Sequence, residues 1–336
     1  MHELSPRLSL GALRWQFGAV ETNIIIAGTM THRYFLAAAL VVGLVLPRLA
    51  LAQAVEPPVC ANPKALGTSR VMGVGAQGGL AVGLKTYPQT LELADHELVL
   101  TFDDGPWPAT TPAILKALED ECVRATFFLI GRNAAAAPSL ARQEIAAGHT
   151  VGHHSFSHPG ITLRKFPYLK AKDDIVAGIA TVEVAAYGST ASEPRVPFFR
   201  FPGFADTGAL LGWLDSRNIA VFGADIWASD WEVMTPQEEL AKLLYRVEKA
   251  RRGIVLLHDI KAHTAAMLPA FLRELKKRGY SIVHIEPGPN LAQTRLAGDG
   301  WFSETEKSLT RLGFIERPNP PDAAAEAATP PLKGPL

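Results

Sequence analysis

A chain of 336 residues with 48% hydrophobic content can bury a core large enough for one barrel-sized catalytic domain with appendages. Lysine plus arginine and aspartate plus glutamate each number 33, so the formal charge is zero and there is no electrostatic footprint for nucleic acid. Two cysteines exclude a four-cysteine zinc site and leave one arithmetic disulfide, Cys60 with Cys122.

Residues 1–29 read as an extension upstream of a second start, Met30. From there Thr31, His32 and Arg33 precede an apolar run, 34–46, and then Ala50-Leu51-Ala52, the order of a signal peptide over residues 30–52. The run is short for a bilayer span, and Pro47 and Arg48 interrupt the competing reading, a buried core helix. The expectation is export to the periplasm or medium with no stable membrane span after cleavage, and an oxidising compartment in which Cys60 and Cys122 can pair.

Residues 53–92 are rich in Gly, Pro and Ala and are expected to form an N-terminal arm lying on the core. Gly73 to Gly78 spell G-x-G-x-x-G, but Gly79, Gly83 and Pro88 prevent the helix that a dinucleotide site needs.

Beyond the arm, strand-like runs (98–102, 125–130, 150–152, 198–201, 219–223, 254–257, 281–285) alternate with helix-like stretches (112–121, 138–147, 169–186, 209–217, 236–250, 264–278). This alternation predicts an α/β fold, a parallel barrel or barrel-like sheet, over residues 93–287. Residues 288–336 form a C-terminal extension whose Pro/Ala-rich end, 318–336, is expected to be disordered.

Several of these runs end in groups that carry chemistry. The first stops at Asp103-Asp104-Gly105-Pro106, two acids at the carboxyl end of a strand, where α/β folds bind ligands. On an extended chain the two point to opposite sides; alone, they also read as turn residues capping the next helix. His154 and His158 are four apart, a spacing that metal-binding helices use, with His149 and His153 as spare candidates. With Asp104 they make a two-histidine, one-carboxylate set with open positions, suited to zinc or a similar divalent ion that activates water. Arg200 ends another apolar run and calls for a carboxylate partner, naturally one of the strand-end acids. Asp225, Trp227, Asp230 and Trp231 follow the run ending at Gly223 and suit a sugar site, although either tryptophan alone reads as ordinary packing. His258 ends a sixth run and reads as an orienting or general-acid group tuned by a carboxylate such as Asp230, or as a structural histidine.

Taken in order, Thr101-Phe102-Asp103-Asp104-Gly105-Pro106, His154-Ser155-Phe156-Ser157-His158, Arg200-Phe201-Pro202-Gly203, Asp230-Trp231 and Leu256-Leu257-His258 resemble the five motifs of the polysaccharide deacetylases of carbohydrate esterase family four, over about residues 97–286. The resemblance implies a distorted (β/α) barrel with seven or eight parallel strands, an acetylated glycan as substrate, and a divalent metal, zinc first and cobalt or a similar ion next. It casts Asp103 as general base, Asp104, His154 and His158 as metal ligands and His258 as general acid. Arg200 would tether Asp103, Asp230 would orient His258, and Pro202, Gly203, Trp231 and Leu256 would line the substrate pocket. Many members carry an aromatic residue where Gly203 stands, and Asp225 and Trp227 are extra, expected to alter the rim. Two other readings keep the fold: hydrolysis of a small cyclic amide or formamide, and carbohydrate binding without turnover.

Overall fold

A computed structural model of the chain describes residue 60, residues 62–160 and residues 162–313. The expected extension 1–29, the signal peptide 30–52 and the end 318–336 lie outside the described residues.

In chain order the elements are β1 (Thr68–Gly75), β2 (Ala81–Val82), β3 (Gln89–Leu91), β4 (Glu97–Asp103), α1 (Thr111–Asp120), β5 (Thr126–Leu129), α2 (Gly131–Ala136), α3 (Pro138–Ala146) and β6 (Thr150–His153). They continue as α4 (Tyr168–Tyr187), β7 (Phe198–Phe199), α5 (Gly208–Asp215), β8 (Ala220–Phe222), β9 (Ile226–Trp227), α6 (Pro236–Ala250), β10 (Gly253–His258), α7 (Ala262–Lys277), β11 (Ser281–Leu291), β12 (Thr294–Leu296) and α8 (Glu304–Arg311). All seven expected strands are present. Helix α6 has the expected bounds because Thr235 and Glu238 cap it reciprocally and Pro236 opens its first turn.

The main sheet has ten strands in the order β1-β11-β4-β5-β6-β7-β8-β2, with β10 paired to β4 and to β9. Every pairing in it is parallel, and β3 with β12 forms a separate antiparallel pair. Strands β8 and β9 do not pair with each other, and residues 81–85 bridge that break: β2 pairs with β8, and the Lys85 N–H donates to the Ala224 carbonyl at 2.9 Å. The architecture is a distorted (β/α) barrel.

Side chains alternate along these strands as a pleat requires. Leu98, Leu100 and Phe102 of β4 pack outward into a cluster shared with α1, α6 and α7. Val99, Phe128, Phe198, Phe222 and Ile254 form a second cluster that holds no helical residue, the barrel interior. Thr101 and Asp103 share the parity of Val99 and therefore also point inward. By the same count Arg200 after β7, His154 after β6 and His258 on β10 point inward at the carboxyl ends.

Two expectations change. Residues 68–75, expected within an arm lying on the core, form β1, which pairs with β11 over residues 68–75 and 282–291. The C-terminal part is not an appendage up to residue 313 either: β11 runs on to Leu291, and α8 docks through Thr305, whose N–H donates to the Lys85 carbonyl at 2.9 Å. Glycines 73 and 75 lie inside β1 and no helix follows them, so the G-x-G-x-x-G stretch carries no dinucleotide fold.

Cys60 and Cys122 are disulfide-bonded. Cys122 lies in the turn between α1 and β5, where the Thr68 N–H donates to its carbonyl at 3.1 Å. The bond thus staples the chain at the end of the barrel opposite the strand-end acids.

Candidate functional site

At the carboxyl end of β4 the pleat is broken on purpose. Asp103 ends the strand pointing inward, and strict alternation would send Asp104 outward. Asp104 instead adopts φ +79°, a left-handed conformation that aspartate tolerates better than most residues. Both carboxylates consequently face one imidazole: His154 Nε2 lies 3.8 Å from Asp103 Oδ2 and 3.5 Å from Asp104 Oδ1. The expectation that adjacent acids face opposite sides fails for this reason. Asn133 holds the distorted turn, its amide donating to the Asp104 carbonyl at 2.7 Å.

His154 and His158 do not lie on a helix. They sit on a turn after β6 in which Ser155 and His158 also have positive φ, +62° and +43°. Ser155 Oγ accepts the His158 N–H at 3.1 Å, and Asp174 of α4 accepts the N–H groups of Phe156 and Ser157 at 3.0 and 3.1 Å. Helix α4 reaches this turn because residue 178 is glycine; a Cβ there would meet the Ser155 carbonyl carbon at 2.3 Å. The turn places His158 Nε2 3.4 Å from Asp104 Oδ1.

Asp104, His154 and His158 each offer one atom, and these atoms lie within 4.8 Å of one another. The set fits a divalent metal on two counts. Among the described residues the buried Asp104 Oδ1 has no hydrogen-bond donor. The His154 Nδ1–H donates to the Arg200 carbonyl at 2.7 Å, which leaves the Nε2 lone pair facing the acids. Burial, and then the nearby His158, push His154 down to about 3 against the pull of Asp104, so the ring is in the neutral form a ligand needs. His149 and His153 are not part of the set. His149 Nδ1 accepts the Ala125 N–H at 3.1 Å, and His153 Nε2 is 3.1 Å from the Val196 carbonyl.

The other acid is held differently. Arg200 is fully buried and its Nη1 donates to Asp103 Oδ1 at 2.6 Å and to Thr101 Oγ1 at 2.9 Å. Its Nε donates to the Phe222 carbonyl at 3.1 Å and its Nη2 to the Gly223 carbonyl at 2.9 Å, and the guanidinium lies 4.3 Å above the Phe128 ring. Four acceptors and an aromatic face compensate the burial of this charge. Burial raises Asp103 against the pull of Arg200, and its Oδ2 is the oxygen that Arg200 leaves free.

On the neighbouring strand β10, His258 Nδ1 lies 2.7 Å from Asp230 Oδ1, and the His258 backbone N–H donates to Asp230 Oδ2 at 2.7 Å. Burial alone would lower His258, but the Asp230 carboxylate outweighs it by charge and hydrogen bond, with Asp104 and Asp103 beyond, and lifts the ring to about 10. Strand register sets His258 beside Asp103. Asp259, the next residue, is buried against Gly105 and accepts from Thr111 Oγ1 at 2.5 Å; burial lifts it to about 7.

Trp231, about half exposed, meets the His258 ring edge-on at 6.1 Å. Leu256 is buried with Phe204, Ala224 and Trp227. Pro202 and Gly203 form a tight turn with Phe204; Gly203 has φ +60°, and among the described residues a Cβ there would touch only Thr162 at 3.9 Å. Where many members of the family it resembles have an aromatic residue, Gly203 has no side chain, and the ring that follows, Phe204, stacks on Trp227 at 6.0 Å. Trp227 in turn meets Trp231 edge-on at 5.7 Å. Asp225, expected at the rim, is a fastener instead. Its carboxylate accepts from Leu84 N at 2.8 Å and from Thr90 Oγ1 and Ile254 N at 2.7 Å, closing the break between β8 and β9. Thr101, Asn133, Asp174 and Gly178 were not legible as site residues, because each acts through the backbone or through a partner distant in sequence.

Known proteins resemble this chain over a stretch that includes Asp103, Asp104, His154, His158 and Arg200. The family described as Polysaccharide deacetylase matches residues 91–209. A peptidoglycan-N-acetylglucosamine deacetylase of Listeria monocytogenes is 29% identical over 218 residues, which cover 65% of this chain and 43% of the relative, so the chain spans under half of that protein's length. A peptidoglycan-N-acetylglucosamine deacetylase of Bacillus cereus is 32% identical over 207 residues, covering 58% of this chain and 90% of the relative. Among solved structures, a peptidoglycan deacetylase of Bdellovibrio bacteriovorus matches with a TM-score of 0.59 at 29% identity, covering 69% of this chain and 63% of that one.

Proposed function

The chain belongs to the polysaccharide deacetylase family, and from that premise we propose that it removes acetyl groups from an N- or O-acetylated polysaccharide or oligosaccharide. One observation carries the reading. A metal-fitting set, Asp104, His154 and His158, adjoins an acid held by a buried arginine, Asp103, which has beside it an imidazole held by a buried carboxylate, His258. When bound there, a divalent ion, zinc foremost, supplies Lewis-acid polarisation and acidifies water.

The protein's own groups divide the rest of the work. Asp103 accepts the proton of the attacking water at Oδ2, while Arg200 holds Oδ1 and fixes the direction of the lone pair. A backbone N–H of the turn after Arg200 stabilises the developing oxyanion. His258, with Nδ1 engaged by Asp230, delivers a proton from Nε2 to the leaving nitrogen or oxygen. Trp231 and Leu256 wall the acetyl group, and the exposed face of Trp231 favours a sugar chain over a small enclosed amide. The Cys60–Cys122 bond supports an oxidising compartment and hence export.

The test is acetate release from acetylated chito-oligosaccharides, peptidoglycan and acetylxylan, with and without a chelator. Release from at least one, lost with chelator and restored by zinc or cobalt, is the expected result. No release from any of the three in the metal-loaded protein overturns the proposal.

A further inference from the structure

The polar contacts behind His258 do not stop at Asp230. Thr264, in the first turn of α7, places Oγ1 3.0 Å from Asp230 Oδ2 and 2.9 Å from Glu239 Oε1. Glu239 Oε2 lies 2.5 Å from His263 Nδ1. Asp230, Thr264 and Glu239 are fully buried, whereas the His263 side chain is one-fifth exposed. A chain of side chains therefore runs from His258 through Asp230, Thr264 and Glu239 to His263 near the surface.

Counting protons along it decides its state. A threonine hydroxyl has one proton, and a carboxylate can only accept. If Asp230 and Glu239 were both ionised, one of them would face an oxygen lone pair across a hydrogen-bond distance, a buried contact left unmet at a cost in stability. Every contact is met only when the two acids share one proton. Asp230 already accepts the Nδ1–H and the backbone N–H of His258, both at 2.7 Å, so the anion belongs there. The proton then sits on Glu239 Oε1 and is donated to Thr264 Oγ1, Thr264 donates to Asp230 Oδ2, and His263 Nδ1–H donates to Glu239 Oε2. Burial, assisted by the charge on Asp230, raises Glu239 and so agrees with this count.

We propose that Thr264, Glu239 and His263 are positioning residues for His258: a protonated Glu239 directs the Thr264 hydroxyl onto Asp230, whose carboxylate, accepting three hydrogen bonds, fixes the imidazole with Nε2 free for the leaving group. The inference rests on the reading of His258 as general acid. It adds to that reading a neutral carboxylic acid two residues removed from the chemistry, which the sequence motifs do not contain.

The test uses the full, metal-loaded chain and the acetylated glycan it hydrolyses best. Thr264→Val removes the hydroxyl at constant shape and should lower kcat roughly tenfold with KM within about twofold, the low end of what outer partners of a functional imidazole are worth. Thr264→Ser should restore most of the loss. Glu239→Ala should fall as Thr264→Val does, whereas Glu239→Gln should recover most of that rate, because its amide N–H replaces the acid proton toward Thr264 and its oxygen still accepts from His263. Infrared difference spectra of wild type minus Glu239→Gln should contain the carbonyl stretch of a protonated carboxyl. A Glu239→Gln protein as slow as Glu239→Ala, or a difference spectrum with only a carboxylate band, overturns the neutral acid; an unchanged kcat in Thr264→Val overturns the relay. Failure of the wild type to release acetate counts against the deacetylase reading instead, and the infrared band still decides where the proton lies.

Discussion

His149 and His154 stand at the two ends of the same strand, β6, and both rings are buried. Burial pushes both down, His149 to about 4 and His154 to about 3, so charge does not distinguish them. What does is the partner of Nδ1. At the amino end His149 Nδ1 accepts the Ala125 N–H, so its proton is on Nε2 and the ring has no lone pair to offer. At the carboxyl end His154 Nδ1 donates to the Arg200 carbonyl, and Nε2 is left open toward two carboxylates. One backbone group in each case turns the same residue type into a core histidine or one with a lone pair open to a metal.

The largest effect should come from breaking the ligand end. His154→Ala should abolish both metal retention and turnover, whereas His149→Phe should keep the metal and the activity; metal analysis of the two purified proteins checks this. The amino end should fail by unfolding instead. Cys60→Ser opens a loop with a sequence separation of 62 and should cost about 4 kcal/mol of stability on the loop-closure estimate, with KM unchanged, as read by denaturant unfolding.

The smallest effect concerns pH. His149 is lowered from 6.5 to about 4 in the fold, so it takes up a proton on unfolding throughout that interval. Its contribution is complete above about pH 6.5 and is lost as pH falls toward about 4, on the order of 3 kcal/mol. Unfolding midpoints measured across that range should show a shallower slope in His149→Phe than in wild type.

Much of the fold was visible in the residue pattern, and the remainder, this contrast included, had physical reasons to be hidden. The seven strands were legible because their apolar runs are buried on both faces, as at Leu98 to Phe102. Strand β1 was not, since Ser69, Arg70 and Val71 are exposed and glycines interrupt it, and β2 and β9 are two residues each. Asp103, Asp104, Arg200 and His258 were legible as polar residues at strand ends, and His154 and His158 by their spacing of four. That Asp103 and Asp104 share one pocket was not, because it depends on the backbone of a single residue, Asp104 at φ +79°. Glu239, His263 and Thr264 carry no motif, because only the packing of α6 against α7 brings them to Asp230. Asp225 had the composition of a rim acid, but its three donors come from segments distant in sequence.

The division of labour between the two adjacent acids is the centre of the account, and metal content measured together with acetate release in Asp103→Asn and Asp104→Asn tests it most directly. Asp103→Asn should retain the metal of the wild type and lose kcat by roughly 10²- to 10⁴-fold, the worth of a general base. Asp104→Asn should lose the metal and the activity together. An Asp103→Asn protein that cannot hold metal, or an Asp104→Asn protein that keeps it, would contradict the assignment.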